Sequence, residues 1–398
     1  MPGPLEGFRI VDLSTMIAGP VATRILADQG ADVIKVERFP GGDLARGLGG
    51  RRRPVSPIFA TTNRNKRSIA VDARDPRGLD LIRRLVADAD VFVQNFRPGT
   101  AERMGLGEAT LRALRPDLVY VSISGFGEEG PYAHRRVYDP VIQALSGLAD
   151  IQGAGSDRPR MIRLILPDKL TALTAAQAIT AALLKRQRTG EGTHVRLAML
   201  DAVVAFLWPE GMARHTYLGD DIGTLRPPEA RDLVFRTADG YITAGTVSDD
   251  EWQAFARVAG HPEWVTDARF ATPAGRVKHA DARLELMARV LEAEPTAHWV
   301  RVLDEAQVPC APILTRDALL EDPQVIANAL VVESEHPSTG RMRQARPPER
   351  FDGATPFLRR PAPLLGEHTE SILAELGVEA AERAQLRRER VVGTPEPR

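Results

Sequence analysis

A chain of 398 residues exceeds what one hydrophobic core normally holds, so two domains, or one domain with a large insertion, are expected. Hydrophobic residues make up 43% and charged residues 26%, and 52 Lys and Arg against 53 Asp and Glu leave a net charge of −1. That balance excludes a global electrostatic pull toward nucleic acid or a membrane surface, and a single cysteine, Cys310, excludes an internal disulfide framework and points to a reducing compartment.

The first residues, "MPGPLEGFRIVDLS", carry no basic segment followed by an apolar one, and the apolar stretches "LTALTAAQAITAALL" and "LAMLDAVVAFLW" are too short to span a bilayer. A cytoplasmic protein is expected. In chain order, "FRIVDLS" reads as a buried strand, "GPVATRILADQG" as a helix stopped by Gly30, and "DVIKVER" as a second strand. "RSIAVD" (strand), "PRGLDLIRRLVADA" (helix with Pro76 near its first position), "DVFVQNF" (strand) and "LVYVSISG" (strand) follow. Strand–helix–strand at this spacing predicts an open, mostly parallel, Rossmann-like α/β sheet with right-handed crossovers. A long helix then starts at Asp168, and an apolar run covers about 195–207.

"WPEGMARHTYLGDDIGTLRPPEA" is rich in Pro and Gly and reads as a linker. After it, "GYITAGT" suggests a strand, "DDEWQAFARVAG" and "HADARLELMARVLEAEP" suggest helices, and "VPCAPILT" closes a smaller α+β unit. A second irregular stretch, 339–368, precedes a final helix in "TESILAELG".

"GFGEEG" (Gly125, Gly127, Gly130) matches the literal dinucleotide pattern, but it precedes Pro131 rather than a helix, and Glu128 and Glu129 would face the phosphates. The eight histidines are scattered with no paired metal-ligand spacing, so no metal is expected. Basic residues cluster around the strands: Arg38, Arg64, Lys66, Arg67, Arg74, Arg97, Arg103, Arg135 and Arg136. Ligands bind beyond strand C-termini in open parallel sheets, so these arginines point to an anionic, phosphorylated ligand. A solvated face of an arginine-rich chain is the competing reading. Asp168, after Pro167 and before an apolar helix, has two local readings as well. It is a helix N-cap, or a carboxylate held ionised at a helix N-terminus as a nucleophile.

Several blocks, in order, resemble the family III coenzyme A transferases, the group of formyl-CoA transferase and carnitine CoA-transferase. They are "PLEGFRIVDLSTMIAGPVATRILADQGADVIKVER", "NRNKRSIAVD", "VFVQNFRPGTAERMGL", "SISGFGEEGPYA", "YDPVIQALSG", "LLKRQRTGEG", "AMLDAV" and "APLLGEHTESILAELG". The resemblance implies a large CoA-binding α/β domain (1–200), a linker (201–224), a small α+β domain (225–330), a return linker (331–364) and a C-terminal helix rejoining the large domain (365–398). It also implies an interlocked homodimer, with which two long Pro-rich linkers are compatible. No permanent cofactor is implied; acyl-CoA and a carboxylic acid are the expected partners.

By the same resemblance the nucleophile falls on Asp168. CoA contacts fall on Arg38, Val71, Arg74, Asn95, Phe96, Arg103, Met104, Arg136, Val137, Tyr138 and Met199, and the substrate pocket on Ile17, Ala18 and Tyr138. The implied chemistry passes through an aspartyl anhydride and an aspartyl-CoA thioester. Two departures stand out. Ile17 occupies the place of a glutamine in the formyl-CoA transferases, suggesting a larger or more apolar acyl group. "AGTVSDDEW", with Gly245 alone, replaces their glycine run. Two alternatives remain open. One is a 2-methylacyl-CoA racemase on the same fold, although Tyr138 stands where those enzymes have histidine and its ordinary pKa of ~10 suits a base poorly. The other is a catalytically inactive CoA-binding protein.

Overall fold

The computed structural model describes residues 3–50, 55–153, 158–219, 232–354 and 358–395, the side chain of Arg214 excepted. The chain divides into two compact units, 1–216 with 329–398, and 217–328.

In the first unit, short runs rich in Val and Ile form β1 (Arg9–Asp12), β2 (Asp32–Arg38), β3 (Lys66–Val71), β4 (Val91–Gln94), β5 (Val119–Ser124) and β6 (Thr193–Ala198). A short edge strand, β7 (Val392–Gly393), pairs antiparallel with β3, and the sheet order is β7-β3-β2-β1-β4-β5-β6 with every other pairing parallel. Strand order reverses direction at β1, between β2 and β4, the point where an open α/β sheet leaves a crevice beyond its strand C-termini.

Helices cover both faces, so the inner strands are apolar on both sides. On one face α1 (Ala18–Asp28) and the long α5 (Leu166–Thr189) pack together over Ile10, Val33, Val91, Val93, Val119 and Val121. Their contact is made of small residues, Ala18 and Ala22 with Ala172, Ala175 and Ala176, which let the two helices approach closely. On the other face α2 (Pro76–Ala87), α3 (Glu108–Leu114), α7 (Thr369–Glu375) and α8 (Ala380–Arg388) cover Val11, Ile34, Val36, Phe92 and Tyr120. The remaining helices that bear on the site are α4 (Asp139–Leu145) and α6 (Met199–Leu207). Helix α2 starts as its sequence requires: Asp75 accepts the Arg77 N–H and Pro76 occupies the first turn.

The apolar run at 195–207 is a strand and a helix joined without a break, β6 ending at Ala198 and α6 starting at Met199. Helix α6 runs on to Leu207, with Val203 and Leu207 buried, so the first seven residues assigned to the linker are helical; 220–224, its far end, lie outside the described residues. The return linker contains an antiparallel hairpin, Val331–His336 with Gly340–Ala345. The C-terminal segment holds two helices and β7 rather than one helix.

The second unit has a three-stranded antiparallel sheet, Phe235–Arg236, Tyr241–Ala244 and Cys310–Pro312, with helices around Trp252, Phe255, Phe270 and Trp299. Its helix Asp249–Val258 opens with a reciprocal capping box between Ser248 and Glu251.

Candidate active site

The crevice at the strand-order reversal is built by the connection from β1 to α1. Residues 13–17 leave Asp12 at the end of β1, and α1 begins at Ala18, so the free N–H groups of its first turn face the crevice. The Ala18 N–H faces the carboxylate of Asp168 and favours its ionised form. Ile17 and Ala18 are both buried beside it.

Asp168 is the third residue of α5, not its cap. The N-cap is Ile165, whose side chain makes no capping bond, and Pro167 fills the second position, where a missing N–H is harmless. The Asp168 carboxyl reaches across to α1 instead of back to its own helix. The second sequence expectation, a carboxyl held below its usual range, is reversed too: burial first, and the nearby Asp139 carboxylate second, push it up to about 6, with the Ala18 N–H pulling the other way.

Asp139 was not singled out as a site residue. It is 3% exposed in the first turn of α4, and its Oδ2 accepts the Asp168 N–H at 3.1 Å. Its Oδ1 accepts Gln143 Nε2 at 2.7 Å. That same Nε2 also donates to the Leu164 carbonyl at 3.1 Å, and Gln143 Oε1 accepts the Ile162 N–H at 2.9 Å. Asp139 thus caps the start of α5 from another helix while Gln143 fixes the segment leading to it. The available signal was an Asp and a Gln four residues apart on one face of the otherwise apolar "DPVIQAL".

The other expected site residues lie at or beyond strand C-termini. Arg38 and Val71 end β2 and β3 and are register partners; Arg38 is exposed and Val71 buried. Arg74 is exposed and ion-paired to Asp72 at 2.9 Å. Phe96, after β4, and Met104 pack on the same core cluster, and Arg103 donates to Thr100 Oγ1 at 2.9 Å. Asn95 spends both ends of its amide on the Thr15 backbone, at 2.8 Å each. Arg136 is exposed, Tyr138 is 65% exposed at the start of α4, and Val137 and the buried Met199 share a cluster. A Cβ at Gly125 would lie 2.4 Å from Val137 Cγ1, which is why "GFGEEG" begins with glycine; the loop opens no helix, and Glu128 is ion-paired to Arg196.

Three of the basic residues are not available to a ligand. Arg64, Lys66 and Arg67 are buried at the start of β3 and neutralised by Asp28, by Asp12 and by Asp32 with Glu375. A parallel strand buried on both faces can carry such charges only when each is paired. A cavity of about 490 Å³ flanks the site, lined by Gln94, Phe96, Arg97, Ser122, His194 and Arg196, and it does not reach Asp168. Among the described residues no group of His, Cys, Asp and Glu is placed to hold a metal ion.

Comparison with known proteins covers nearly the whole chain. Residues 5–369 match the model of CoA-transferase family III. Human succinyl-CoA:glutarate CoA-transferase is 36% identical over 380 residues, 94% of this chain and 86% of that protein. Formyl-CoA:oxalate CoA-transferase of Rhodopseudomonas palustris is 34% identical over 408 residues, covering 94% of each chain. The crystal structure of Rv3272 from M. tuberculosis superposes with a TM-score of 0.82 at 32% identity, over 94% of this chain and 99% of that one. A CAIB/BAIF family protein from Brucella suis superposes with a TM-score of 0.80 at 33% identity, over 94% and 100%. With a match spanning both units and the crevice between β2, β1 and β4, the chain belongs to CoA-transferase family III and is an enzyme of that class.

Proposed function

We propose that this enzyme moves coenzyme A from an acyl-CoA donor to a carboxylic acid acceptor with Asp168 as the covalent nucleophile. The observation that carries the reading is the Asp168 carboxylate itself, partly buried in the crevice and faced by the N–H that opens α1.

In the first step an Asp168 carboxylate oxygen bonds to the thioester carbonyl carbon, the C–S bond breaks, and CoA leaves as thiolate with an aspartyl anhydride formed. The thiolate then attacks the aspartyl carbonyl of the anhydride, releasing the donor acid as carboxylate and leaving an aspartyl-CoA thioester. The acceptor carboxylate attacks that thioester, regenerating thiolate and a second anhydride. Attack of the thiolate on the acceptor's carbonyl forms the new acyl-CoA and frees Asp168. No net proton is taken up, and the relay needs only that water be kept from the anhydride. A carboxyl raised to about 6 is still mostly ionised at pH 7 and is more basic than an ordinary aspartate, so it is the better nucleophile. The Ala18 N–H suits the oxygen that stays on the aspartyl carbon and becomes an oxyanion in the two attacks on the aspartyl carbonyl.

For CoA we assign the edge formed by Arg38, Val71, Arg74, Phe96, Arg103, Met104, Arg136, Val137, Tyr138 and Met199, with arginine guanidiniums matched to phosphates. Asn95 acts there by holding Thr15. Ile17, buried next to Ala18 at the start of α1, favours a larger acyl group than formyl, in keeping with relatives named for succinyl-CoA and glutarate. We also assign a homodimer, supported by the exposed apolar residues Leu164, Leu173, Phe206 and Trp208 on the first unit. A cytoplasmic location is consistent with the single cysteine; no described helix is long and apolar enough to cross a membrane.

The test is incubation with a panel of acyl-CoA donors, trapping with hydroxylamine or borohydride, and mass spectrometry of the peptide holding Asp168. A modified Asp168 supports the transferase. Exchange of the α-proton without an adduct would favour the racemase, and neither would favour an inactive binding protein. Asp168→Ala is expected to lower transfer by on the order of 10⁶-fold, the scale on which loss of a nucleophile is felt.

A further inference from the structure

The five residues between β1 and α1 contain no glycine, and Met16 takes a left-handed backbone conformation with φ of 68°. A side-chain-bearing residue stays in that region only where its surroundings over-determine it. Here they do. The Leu13 N–H donates to the Val93 carbonyl at 2.9 Å, and the Ser14 N–H to Asp12 Oδ1 at 3.0 Å. Both backbone polar groups of Thr15 are taken by Asn95. Lys35 Nζ donates to the Ser14 carbonyl at 2.9 Å, and the Met16 N–H donates to Asp43 Oδ1 at 3.1 Å.

Lys35 and Asp43 are themselves an ion pair, Nζ to Oδ2 at 2.9 Å, with both side chains fully buried. Asp43 is in turn immobilised. Its N–H donates to Glu37 Oε2 at 3.1 Å, its Oδ1 accepts the Ala45 N–H at 2.9 Å, and Glu37 is paired with Arg46. A buried ion pair adds little to stability over an apolar pair of the same shape. What apolar side chains cannot supply is a directional donor to the Ser14 carbonyl and a directional acceptor for the Met16 N–H.

We propose that the buried Lys35–Asp43 pair is a positioning device for the active site, clamping residues 14–16 so that the Ala18 N–H is aimed at the Asp168 carboxyl. Lys35 and Asp43 act through the loop and touch neither the nucleophile nor its ligand in this assignment. The consequence for catalysis rests on Asp168 being the nucleophile; the geometric claim does not.

The experiment compares the full-length wild type with Lys35→Met/Asp43→Leu, which removes one positive and one negative charge together and leaves no unpaired buried ion. A second variant, Lys35→Met/Asp43→Asn, keeps an oxygen for the Met16 and Ala45 N–H groups. Readouts are the titration of Asp168 by carboxyl ¹³C NMR, kcat and KM for acyl-CoA, and hydroxylamine trapping at Asp168. The charged group that faces Asp168 is Asp139 from α4, which neither variant alters. Because the deleted pair is net neutral, a moved titration reports the lost N–H rather than a lost charge.

The expected result is an Asp168 titration displaced to higher pH and a kcat lower by roughly 10- to 100-fold with little change in KM, since a donor that serves the transition state is misplaced. The Asn-containing variant should lie between this and wild type. A folded Met/Leu variant with unmoved titration and unmoved kcat overturns the proposal. So does failure of both variants to fold, which would make the pair a requirement of the fold rather than of the loop. If wild type forms no Asp168 adduct while the titration still moves in the variants, the covalent mechanism fails and the loop assignment stands.

Discussion

Burial and the neighbouring Asp139 carboxylate lift Asp168 from its ordinary 3.8 to about 6, so the folded chain holds this proton over a range in which the unfolded chain has lost it. Stability from this group is therefore fully present below about pH 3.8 and is lost as pH rises through about 6. At pH 7 the ionised carboxyl costs the fold roughly 3 kcal/mol. Asp168→Asn should accordingly raise the unfolding temperature at pH 7, with the gain vanishing near pH 4, while abolishing transfer. Parallel thermal melts at the two pH values check it. On the proposed mechanism the rate should show an acid limb centred near 6, because a protonated Asp168 could not attack. Asp139→Asn removes the second cause of the upward shift, so its acid limb should move to lower pH; a kcat/KM profile against pH that stays in place would count against the electrostatic role of Asp139.

At the scale of elements, position in the sheet decides what a residue is for. Phe92 and Tyr120 are fully buried on adjacent strands, with ring centroids 5.3 Å apart. Phe92→Ala should destabilise the first unit by about 3–5 kcal/mol, read by chemical denaturation, without any direct contact with Asp168. The strands up to β5 were legible because each is a short apolar run bounded by turn residues. β6 was not, because nothing punctuates Ala198 and Met199: the backbone changes from strand to helix with no Gly or Pro to mark it. β7 is two residues long and exists only because β3 offers it an open edge. The same logic explains the misplaced basic cluster. Arg64, Lys66 and Arg67 have the residue type of phosphate ligands, but they enter β3 at its N-terminal end, where Asp12, Asp28 and Asp32 neutralise them.

For the whole molecule, the exposed Leu164, Leu173, Phe206 and Trp208 place apolar surface on the first unit that a second copy would cover. Light scattering on the purified protein should give twice the 43.5 kDa chain mass, and a monomer at micromolar concentration would remove the dimer from the proposal. The sequence by itself determined the parallel sheet and the division into a large and a small unit, and it singled out Asp168 as a candidate, because these depend on local periodicity, turn chemistry and blocks of residues in a set order. Only the tertiary structure decided what surrounds Asp168. Its partners, the Ala18 N–H, Asp139 and, through the loop, Lys35 and Asp43, come from segments far apart along the chain. Their effect depends on burial and on close approach, such as the 3.1 Å from the Asp168 N–H to Asp139 Oδ2, quantities set by the meeting of α1, α4 and α5 over the sheet and by no single stretch of residues.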